Sequence, residues 1–144
     1  MRILGLDLGE RRIGVALSNP EGQVAQPLAQ FEPKGRQGLV AEVQRLVRQH
    51  GVERVVVGLP IRLDGTPGAE AQQAERTVAV LREAIGVPVT MWDERFSTRR
   101  AERAMRQANL SAGRRKGRRD KVAAALMLQS YLDAGAPPEG SRQD

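Results

Sequence analysis

The sequence predicts an α/β domain built on one five-stranded mixed sheet with helices on both faces. Three observations predict it. Short strand-like segments come first, strand and helix patterns then alternate, and two helical segments follow, giving the order βββαβαβαα. Early hairpins followed by strand–helix alternation place antiparallel and parallel pairs in the same sheet.

Five short apolar segments have the character of strands. They cover residues 3–8, 12–18, 24–31, 54–58 and 87–92. A tight turn at Gly9-Glu10-Arg11 joins the first two, and Pro33 ends the third. The run Val55-Val56-Val57 is typical of a strand buried on both faces.

Four segments have helical spacing or helix start signals. They cover residues 37–49, a segment after Gly68 with an apolar face, residues 98–109 capped by Ser97 or Thr98, and residues 119–134. The apolar face of the second helix consists of Ala71, Ala74, Val78, Leu81 and Ile85. Gly51 is expected to end the first helix in a left-handed conformation. Loops are expected at residues 59–68, which include an Asp64-Gly65 turn, and at residues 113–117, which are basic.

The composition fits one domain with an aliphatic core. The chain has 144 residues, 40% of them hydrophobic and 3% aromatic. We expect residues 1–134 to form one domain and the Pro- and Gly-containing residues 135–144 to form a flexible tail. No apolar run approaches the length of a membrane span, and no signal peptide is evident, so a cytoplasmic location is expected. Cysteine is absent, so a metal would be held by oxygen ligands or by His50.

Positive charge is concentrated in one segment. The net charge is +6, and residues 95–121 hold eleven basic side chains against two acidic ones. The rest of the chain holds twelve basic and fifteen acidic side chains. This distribution favours a polyanionic partner.

Three acidic positions are candidates for catalysis. Asp7 interrupts an otherwise buried strand, where a charge is costly unless it is paired or binds a metal. Asp93 and Glu94 directly follow the fifth strand, and ligands of α/β sheets gather at strand ends. Asp120 opens the last helix, on the face that Ala124 shares. Each also has a structural interpretation: a turn after Asp7, a polar strand end at Asp93, and a favourable helix dipole at Asp120.

Together these acids indicate a site for hard divalent cations. Carboxylate oxygens suit Mg²⁺ or Mn²⁺, and two such ions about 3.5–4 Å apart polarise a phosphate and activate water. Other candidates are weaker. His50 is better explained by a helix end, Asp64 by a turn, and Ser18, Ser97 and Thr98 have no histidine nearby in sequence.

The basic segment is interpreted as a phosphate-binding surface. Arg99, Arg103 and Arg106 line one helix face, opposite an apolar face. A solvated charged face is the alternative. The scarcity of aromatic residues argues against a dedicated single-strand binder and favours backbone recognition of duplex or branched nucleic acid. The full set of predicted nucleic-acid contacts is Arg11, Arg12, Arg95, Arg99, Arg103, Arg106, Arg114, Arg115, Lys116, Arg118 and Arg119.

Four motifs in order resemble the YqgF/RuvX family, described both as pre-16S rRNA nucleases and as Holliday-junction-resolvase-like proteins. They cover nearly the whole chain, from Met1 to about Asp133. The motifs are Gly5-Leu6-Asp7-Leu8-Gly9 with Arg12-Ile13-Gly14-Val15-Ala16; Val57-Gly58-Leu59-Pro60 with Asp64-Gly65; Asp93-Glu94-Arg95-Phe96-Ser97-Thr98; and Asp120 with Ala123-Ala124 and Leu128-Gln129-Ser130-Tyr131-Leu132-Asp133. The resemblance implies an RNase H-like fold and a catalytic, metal-binding site formed by Asp7, Glu94 and Asp120.

The chain departs from its wider relatives at two positions. RNase H and RuvC-type resolvases carry an acid near the end of strand four, where this chain has Gly58-Leu59-Pro60. Glu94 must then fill that role from another strand. Asn19 stands where the family often has Asp after the second strand, so that position has no acidic role here.

The sequence leaves four functions open. The first is a nuclease, with Mg²⁺ or Mn²⁺, that processes the 5′ end of pre-16S rRNA as a monomer or weak homodimer. The second is a Holliday junction resolvase, whose paired cuts favour a dimer. An actin-like or sugar-kinase ATPase would need two such domains. A non-catalytic nucleic-acid-binding module would bind without cutting, so metal-dependent cleavage distinguishes it from the nucleases.

Overall fold

A computed structural model describes residues 1–9, 11–59, 68–93 and 112–138, with the side chains of residues 112–120 outside the description. Five strands and three helices make up the described chain. They are β1 (Ile3–Leu8), β2 (Ile13–Ser18), β3 (Ala25–Phe31), α1 (Gly35–His50), β4 (Arg54–Leu59), α2 (Ala69–Ala84), β5 (Val89–Asp93) and α3 (Ala112–Asp133).

The five strands form one mixed sheet in the order β3-β2-β1-β4-β5. The β1–β2 and β2–β3 pairs are antiparallel, whereas β1–β4 and β4–β5 are parallel. The predicted mixed sheet is therefore confirmed. The central position of β1 and β4 explains why Val55, Val56 and Val57 are all fully buried.

Helices cover both faces of this sheet, as predicted. One core contains the apolar faces of α1 and α2, with Leu4, Leu6 and Val57 from the sheet. The other contains Leu128 and Tyr131 of α3, with Ile3, Val56 and Trp92 from the sheet. The sheet thus separates two apolar layers, and each strand contributes alternate residues to each.

The first two helices follow their sequence patterns closely. Helix α1 ends at Gly51, whose φ of 62° is left-handed and whose N–H bonds the carbonyl of Val47, as expected. The predicted apolar face of α2 is buried throughout, including Ile85 just beyond its end. Strand β5 begins two residues later than predicted, because Pro88 cannot donate to the ladder, and it ends one residue later, because Asp93 still pairs with Leu59.

The predicted basic loop at residues 113–117 is wrong, since α3 is helical from Ala112 onward. Gly113 and Gly117 each cost about 1 kcal/mol relative to alanine in a helix, but neither forbids it. Arginine and lysine, which fill the positions between them, are good helix formers. The predicted loop at residues 60–67 and the predicted helix at residues 98–109 lie outside the described residues.

The residues after α3 fold back on the end of that helix. Gly135 has a φ of 90°, and the N–H of Ala136 bonds the carbonyl of Tyr131 at 3.0 Å. Arg54 Nη1 donates to the Ala136 carbonyl at 2.9 Å. The division into a domain at 1–134 and a flexible tail at 135–144 stays a prediction. Within the described chain, no helix has the length and apolarity needed to cross a membrane.

Candidate active site

Asp7 lies in the middle of the sheet, near the carboxyl end of β1. Leu4 and Leu6 point to the α1–α2 core, and Ile3 belongs to the α3 core. Because strand side chains alternate, Asp7 lies on the α3 face with Ile3 and Gly5. It is half-buried. A half-buried carboxylate at this position is held by a rigid central strand rather than by a loop.

Glycines flank Asp7 on both neighbouring strands. Asp7 is paired with Gly14 of β2. On the other side Leu6 is level with Val57, so Asp7 comes level with Gly58 of β4. Neither neighbouring strand therefore places a side chain beside the carboxylate on this face. Glycine inside a strand often marks the close approach of a ligand or of another backbone.

Gly58 occupies the position where the wider relatives were expected to carry an acid. It is buried and level with Trp92 of β5. The row across the sheet therefore runs from Gly14 through Asp7 and Gly58 to Trp92. Because Gly58 has no side chain, the sheet surface beside Asp7 is open where the wider relatives would carry an acid.

Helix α3 approaches the sheet closely next to Asp7. A Cβ on Gly5 would stand only 3.0 Å from Leu128 Cβ, so glycine is what lets the helix approach this strand. Arg54 is level with Ile3 at the start of β1. Its Nη1 atom donates a hydrogen bond to the Tyr131 hydroxyl at 2.9 Å. The end of α3 thus lies at the start of β1, and its earlier turns extend toward Asp7.

The backbone of α3 includes the second predicted acid, Asp120, whose side chain lies outside the description. Asp120 precedes Ala124 and Leu128 by four and eight residues. Both of these are completely buried against the sheet. The structure therefore gives the helix and its direction, and the position of the Asp120 carboxylate stays a prediction.

Asp93 lies on the face opposite Asp7. It is the last residue of β5 and pairs with Leu59. Val89 and Met91 pack in the α1–α2 core, whereas Trp92 packs with α3. The alternation of the strand places Asp93 with Val89 and Met91. Asp93 is therefore not brought to the side of Asp7, and Glu94 and Asp64 lie outside the described residues.

A hydrogen bond joins β5 to α3 beside this row. Trp92 Nε1 donates to Ser130 Oγ at 2.8 Å, and Ser130 Oγ donates in turn to the Met127 carbonyl at 2.8 Å. The Trp92 and Tyr131 rings meet edge to face, with centroids 5.4 Å apart. These buried contacts fix α3 against the strand that leads into Asp93 and Glu94.

The predicted nucleic-acid contacts are described only in part. Arg11 and Arg12 are exposed in the turn between β1 and β2. This turn needs glycine at position 9, because a Cβ there would stand 2.6 Å from the Arg12 carbonyl oxygen. Arg95, Arg99, Arg103 and Arg106 lie outside the described residues. For Arg114, Arg115, Lys116, Arg118 and Arg119 the helical backbone alone is described.

Gln30 belongs to the same row and was missed by sequence reasoning. It pairs with Gly14 on β3, so it lies on the face of Asp7 with a residue lacking a side chain between them. Its Oε1 atom is buried and has no hydrogen-bond partner among the described residues. Only the pairing register of β1, β2 and β3 shows that Gln30 lies on the face of Asp7, and a register cannot be read from the sequence.

Within the described part of the chain, no three acidic or histidine side chains come together as a metal cluster. Asp7 is the predicted metal ligand whose side chain is described, and its donor atoms are hard carboxylate oxygens. His50 lies at the end of α1, near the start of β1 rather than near Asp7, since its carbonyl accepts from Arg2 Nη1.

Two solved structures of proteins bound to Holliday junctions share this fold. Thermus thermophilus RuvC in complex with a Holliday junction substrate matches with a TM-score of 0.63 and 19% identity, covering 96% of this chain and 98% of that one. The Fowlpox virus resolvase in a complex with Holliday junction DNA matches with a TM-score of 0.60 and 10% identity, covering 95% and 100%. The sheet order and the helix packed over β1 thus give this chain the RNase H-like fold that these structures share.

Sequence similarity identifies the family within this class. Residues 1–134 match the sequence model of the RuvX family, described as a Holliday junction resolvase. A Syntrophomonas wolfei protein described as "Putative pre-16S rRNA nuclease" is 45% identical over 136 residues, covering 94% of this chain and 96% of that protein. A Pelotomaculum thermopropionicum protein with the same description is 46% identical over 139 residues, covering 96% and 90%. The chain belongs to the RuvX family, a family of nucleases that hydrolyse phosphodiester bonds.

Proposed function

We propose that this protein is a divalent-metal-dependent endonuclease that processes the 5′ end of pre-16S rRNA in the cytoplasm, as a step of ribosome biogenesis. The observation that carries the proposal is the half-buried Asp7 carboxylate between Gly14 and Gly58, on a central strand under α3. The descriptions of relatives at 45% and 46% identity support the choice of substrate.

The proposed metal ligands are Asp7, Glu94 and Asp120. Oxygen donors suit Mg²⁺ or Mn²⁺, and the chain has no cysteine that would favour a softer metal. The burial of Ala124 and Leu128, one and two turns after Asp120, supports an inward direction for Asp120. Asp93 lies on the opposite face, and in an extended chain the next residue points to the other side. This supports Glu94 rather than Asp93 as the acid from β5.

In this proposal the carboxylates bind the metal ions, and the basic side chains bind the phosphates of the substrate. Two divalent ions bound to such carboxylates would supply charge neutralisation of the phosphate and a water of lowered pKa. The role of Asp7 is to hold its oxygens at a fixed position on a rigid strand. The glycines beside it leave room for a phosphodiester on the sheet surface. Exposed arginines, including Arg11 and Arg12 at the same edge, would hold the flanking phosphates.

A Holliday junction resolvase is the second candidate function. The description of the family and the RuvC-type fold favour it. Resolution requires two cuts related by symmetry and hence two active sites in a dimer. Processing of an RNA end needs only one. We propose a monomer or weak homodimer, which is consistent with the RNA substrate.

The test compares cleavage of two substrates by the same protein. Labelled precursor 16S rRNA and a labelled four-way DNA junction are incubated with the protein in Mg²⁺, Mn²⁺ or EDTA. We expect metal-dependent cuts in the precursor rRNA at its 5′ region and weaker or no paired cutting of the junction. Symmetric cutting of the junction with an intact precursor would reject the RNA substrate and establish the resolvase.

Asp7→Asn tests the site itself. The neutral amide loses metal affinity, so cleavage should fall at least about a hundredfold while nucleic-acid binding is largely retained. Glu83→Gln is the matched control, because Glu83 is an exposed acid near the end of α2. An Asp7→Asn protein that cuts at the wild-type rate would reject the mechanism.

A further inference from the structure

A cavity lies between the start of α1 and the middle of α2, on the face of the sheet opposite α3. Its volume is about 380 Å³, within the range of small-ligand sites. Pro33, Leu39 and Val80 give it apolar walls. The polar lining residues are Arg36, Gln73, Arg76 and Thr77.

Two guanidinium groups line this cavity. Arg36 and Arg76 come from different helices, and both are exposed. Neither makes an ion pair or a hydrogen bond to any other described residue. By contrast, Arg45 on the outer surface of α1 is paired with Glu42. Two guanidiniums on one concave surface can bind a single anionic group through several hydrogen bonds.

The charged side chains that line the cavity in the described part of the chain, Arg36 and Arg76, are both positive. The first turn of α1 carries neither an acid nor a side-chain cap. Lys34 is exposed next to Gly35 at the rim, and Glu32, Glu70 and Glu75 are exposed nearby, outside the lining. A bound anion would meet arginine side chains without facing a carboxylate from the lining.

The cavity lies at the same edge of the sheet as Asp7. Leu8, the residue after Asp7, is level with Ile13, and Ile13 is level with Phe31 at the end of β3. Phe31 is thus two strand spacings from Leu8, on the order of 10 Å. The cavity begins at Pro33, two residues beyond Phe31. The exposed Arg11 and Arg12 occupy the turn at this edge.

We propose that this cavity binds a backbone phosphate of the nucleic-acid substrate at a distance from the scissile bond, with Arg36 and Arg76 as its ligands. The inference rests on the proposed nuclease function and adds a second contact surface to it. The cavity is larger than a phosphate group and has room for a nucleotide unit. Among the described residues its lining offers no aromatic ring for stacking, so binding is to the backbone and independent of base sequence.

The first test is a salt titration of RNA binding in EDTA, where cleavage cannot occur. Each phosphate contact contributes about 0.7 to the slope of log affinity against log salt for single strands and about 0.9 for duplexes. For Arg36→Gln/Arg76→Gln one phosphate contact is lost, so we expect a slope lower by about 0.7 to 0.9 units and binding roughly tenfold weaker at low salt.

The matched control is Arg45→Gln/Arg48→Gln, which removes the same two charges from the far part of α1. Both arginines there are exposed, and Arg45 already has an acidic partner. The control should shift the slope by less than half as much as the cavity variant. Equal slopes for the cavity variant and the wild type, or equal losses in the two double variants, would overturn the inference. Unchanged melting temperatures confirm that both variants are folded.

The second test locates the contact and identifies the source of the phosphate. Backbone amide resonances of Gly35 and Gln73 are followed by NMR during titration with an RNA oligonucleotide, and separately with inorganic phosphate. We expect saturable shifts with RNA at concentrations where inorganic phosphate has no effect. Equal response to inorganic phosphate would show a site for a small free anion instead. Both tests exclude cleavage, so a protein that binds RNA through this cavity yet never cuts it would reject only the proposed function.

Discussion

At the scale of single residues, Gly5 determines how closely α3 approaches the sheet. We expect Gly5→Ala to reduce the free energy of unfolding by about 1–3 kcal/mol, because the new methyl would meet Leu128 Cβ at 3.0 Å in a packed core. Urea denaturation measures the loss. Gly86→Ala is the control, since nothing lies within 4 Å of a Cβ there, and it should change the free energy by less than about 0.5 kcal/mol.

A double variant tests the cause of that loss. Leu128→Ala alone should cost about 2–5 kcal/mol, because it leaves a cavity in the core. In the Gly5→Ala background the same change should cost less, because it removes Leu128 Cγ and Cδ2, which the new methyl would meet at 3.4 Å, although Cβ at 3.0 Å is kept. Strictly additive losses would show that Gly5 and Leu128 do not compete for the same space.

Gln30 gives a second prediction at this scale. Gln30→Leu should leave stability unchanged or slightly raised, because a buried oxygen without a partner is removed. If the Gln30 amide contacts bound RNA, KM for the RNA substrate should rise about threefold to tenfold with kcat nearly unchanged, because that hydrogen bond is lost. Gln26→Leu is the control on the same strand, because Gln26 is level with Leu17 on the other face. Equal KM values in both variants would remove Gln30 from the substrate surface.

The contrast between Asp7 and Gln30 shows what the sequence can reveal about single residues. Asp7 was predicted because a charge between Leu6 and Leu8 contradicts its strand, a conflict visible within three residues. Gln30 conflicts with nothing locally. Its place beside Asp7 depends on two antiparallel registers, including a bulge between Val15 and Ala16. Register is a property of paired strands and is absent from a local pattern.

At the scale of elements, the contact between Trp92 and Ser130 attaches α3 to β5. Ser130→Ala should reduce the free energy of unfolding by about 1–3 kcal/mol, because it removes the acceptor of a buried hydrogen bond from the indole N–H. Trp92 is the one tryptophan of the chain, so its fluorescence during urea denaturation reports on this contact directly.

A second hydroxyl provides the comparison for that variant. Thr77 Oγ1 donates to the Gln73 carbonyl at 2.9 Å within α2, in a hydrogen bond that is exposed to solvent. Thr77→Ala should therefore change stability by less than about 0.5 kcal/mol. A loss in Ser130→Ala no larger than in Thr77→Ala would mean that the indole contact contributes nothing to holding the helix.

The sequence predicts well those helices and strands that have a periodic buried face. It predicts poorly where an element ends when the only signal is a helix-breaking residue such as glycine. The apolar positions of α2 coincide with its buried face, because burial itself imposes the spacing. The loop expected at residues 113–117 relied on Gly113 and Gly117 as breakers. A glycine only lowers helix stability, and the packing of the following turns on the sheet outweighs that local cost.

At the scale of the whole molecule, basic residues occur on both sides of the edge that contains Asp7. Arg11 and Arg12 lie at the edge, and Arg36 and Arg76 line the cavity beside α1. The excess charge of residues 95–121 belongs to the segment that joins β5 to α3 and continues into that helix. A substrate bound on both sides of this edge would pass over Asp7 between the two surfaces. A structured RNA is large enough to contact both surfaces, whereas a short single strand is not.

The basic segment carries the last prediction, which separates phosphate contacts from a merely solvated surface. Arg99, Arg103 and Arg106 are predicted to share one helical face. Replacing all three by Gln should weaken binding to all sequences alike and lower the salt slope by up to about 2–3 units on duplex nucleic acid, because up to three phosphates regain their counterions. Stability should change little, since exposed charges contribute little to it. The measurement is again a salt titration in EDTA.

Combining this triple variant with Arg36→Gln/Arg76→Gln tests whether both surfaces contact the same substrate molecule. If one RNA spans them, the two reductions in slope should add on a long precursor, because each surface neutralises its own phosphates. On an oligonucleotide too short to cross the edge, the two reductions should not add, since either surface can bind it alone. A slope unchanged by the triple variant would mean that the arginine face is ordinary solvated surface, and the substrate path would then run through the cavity alone.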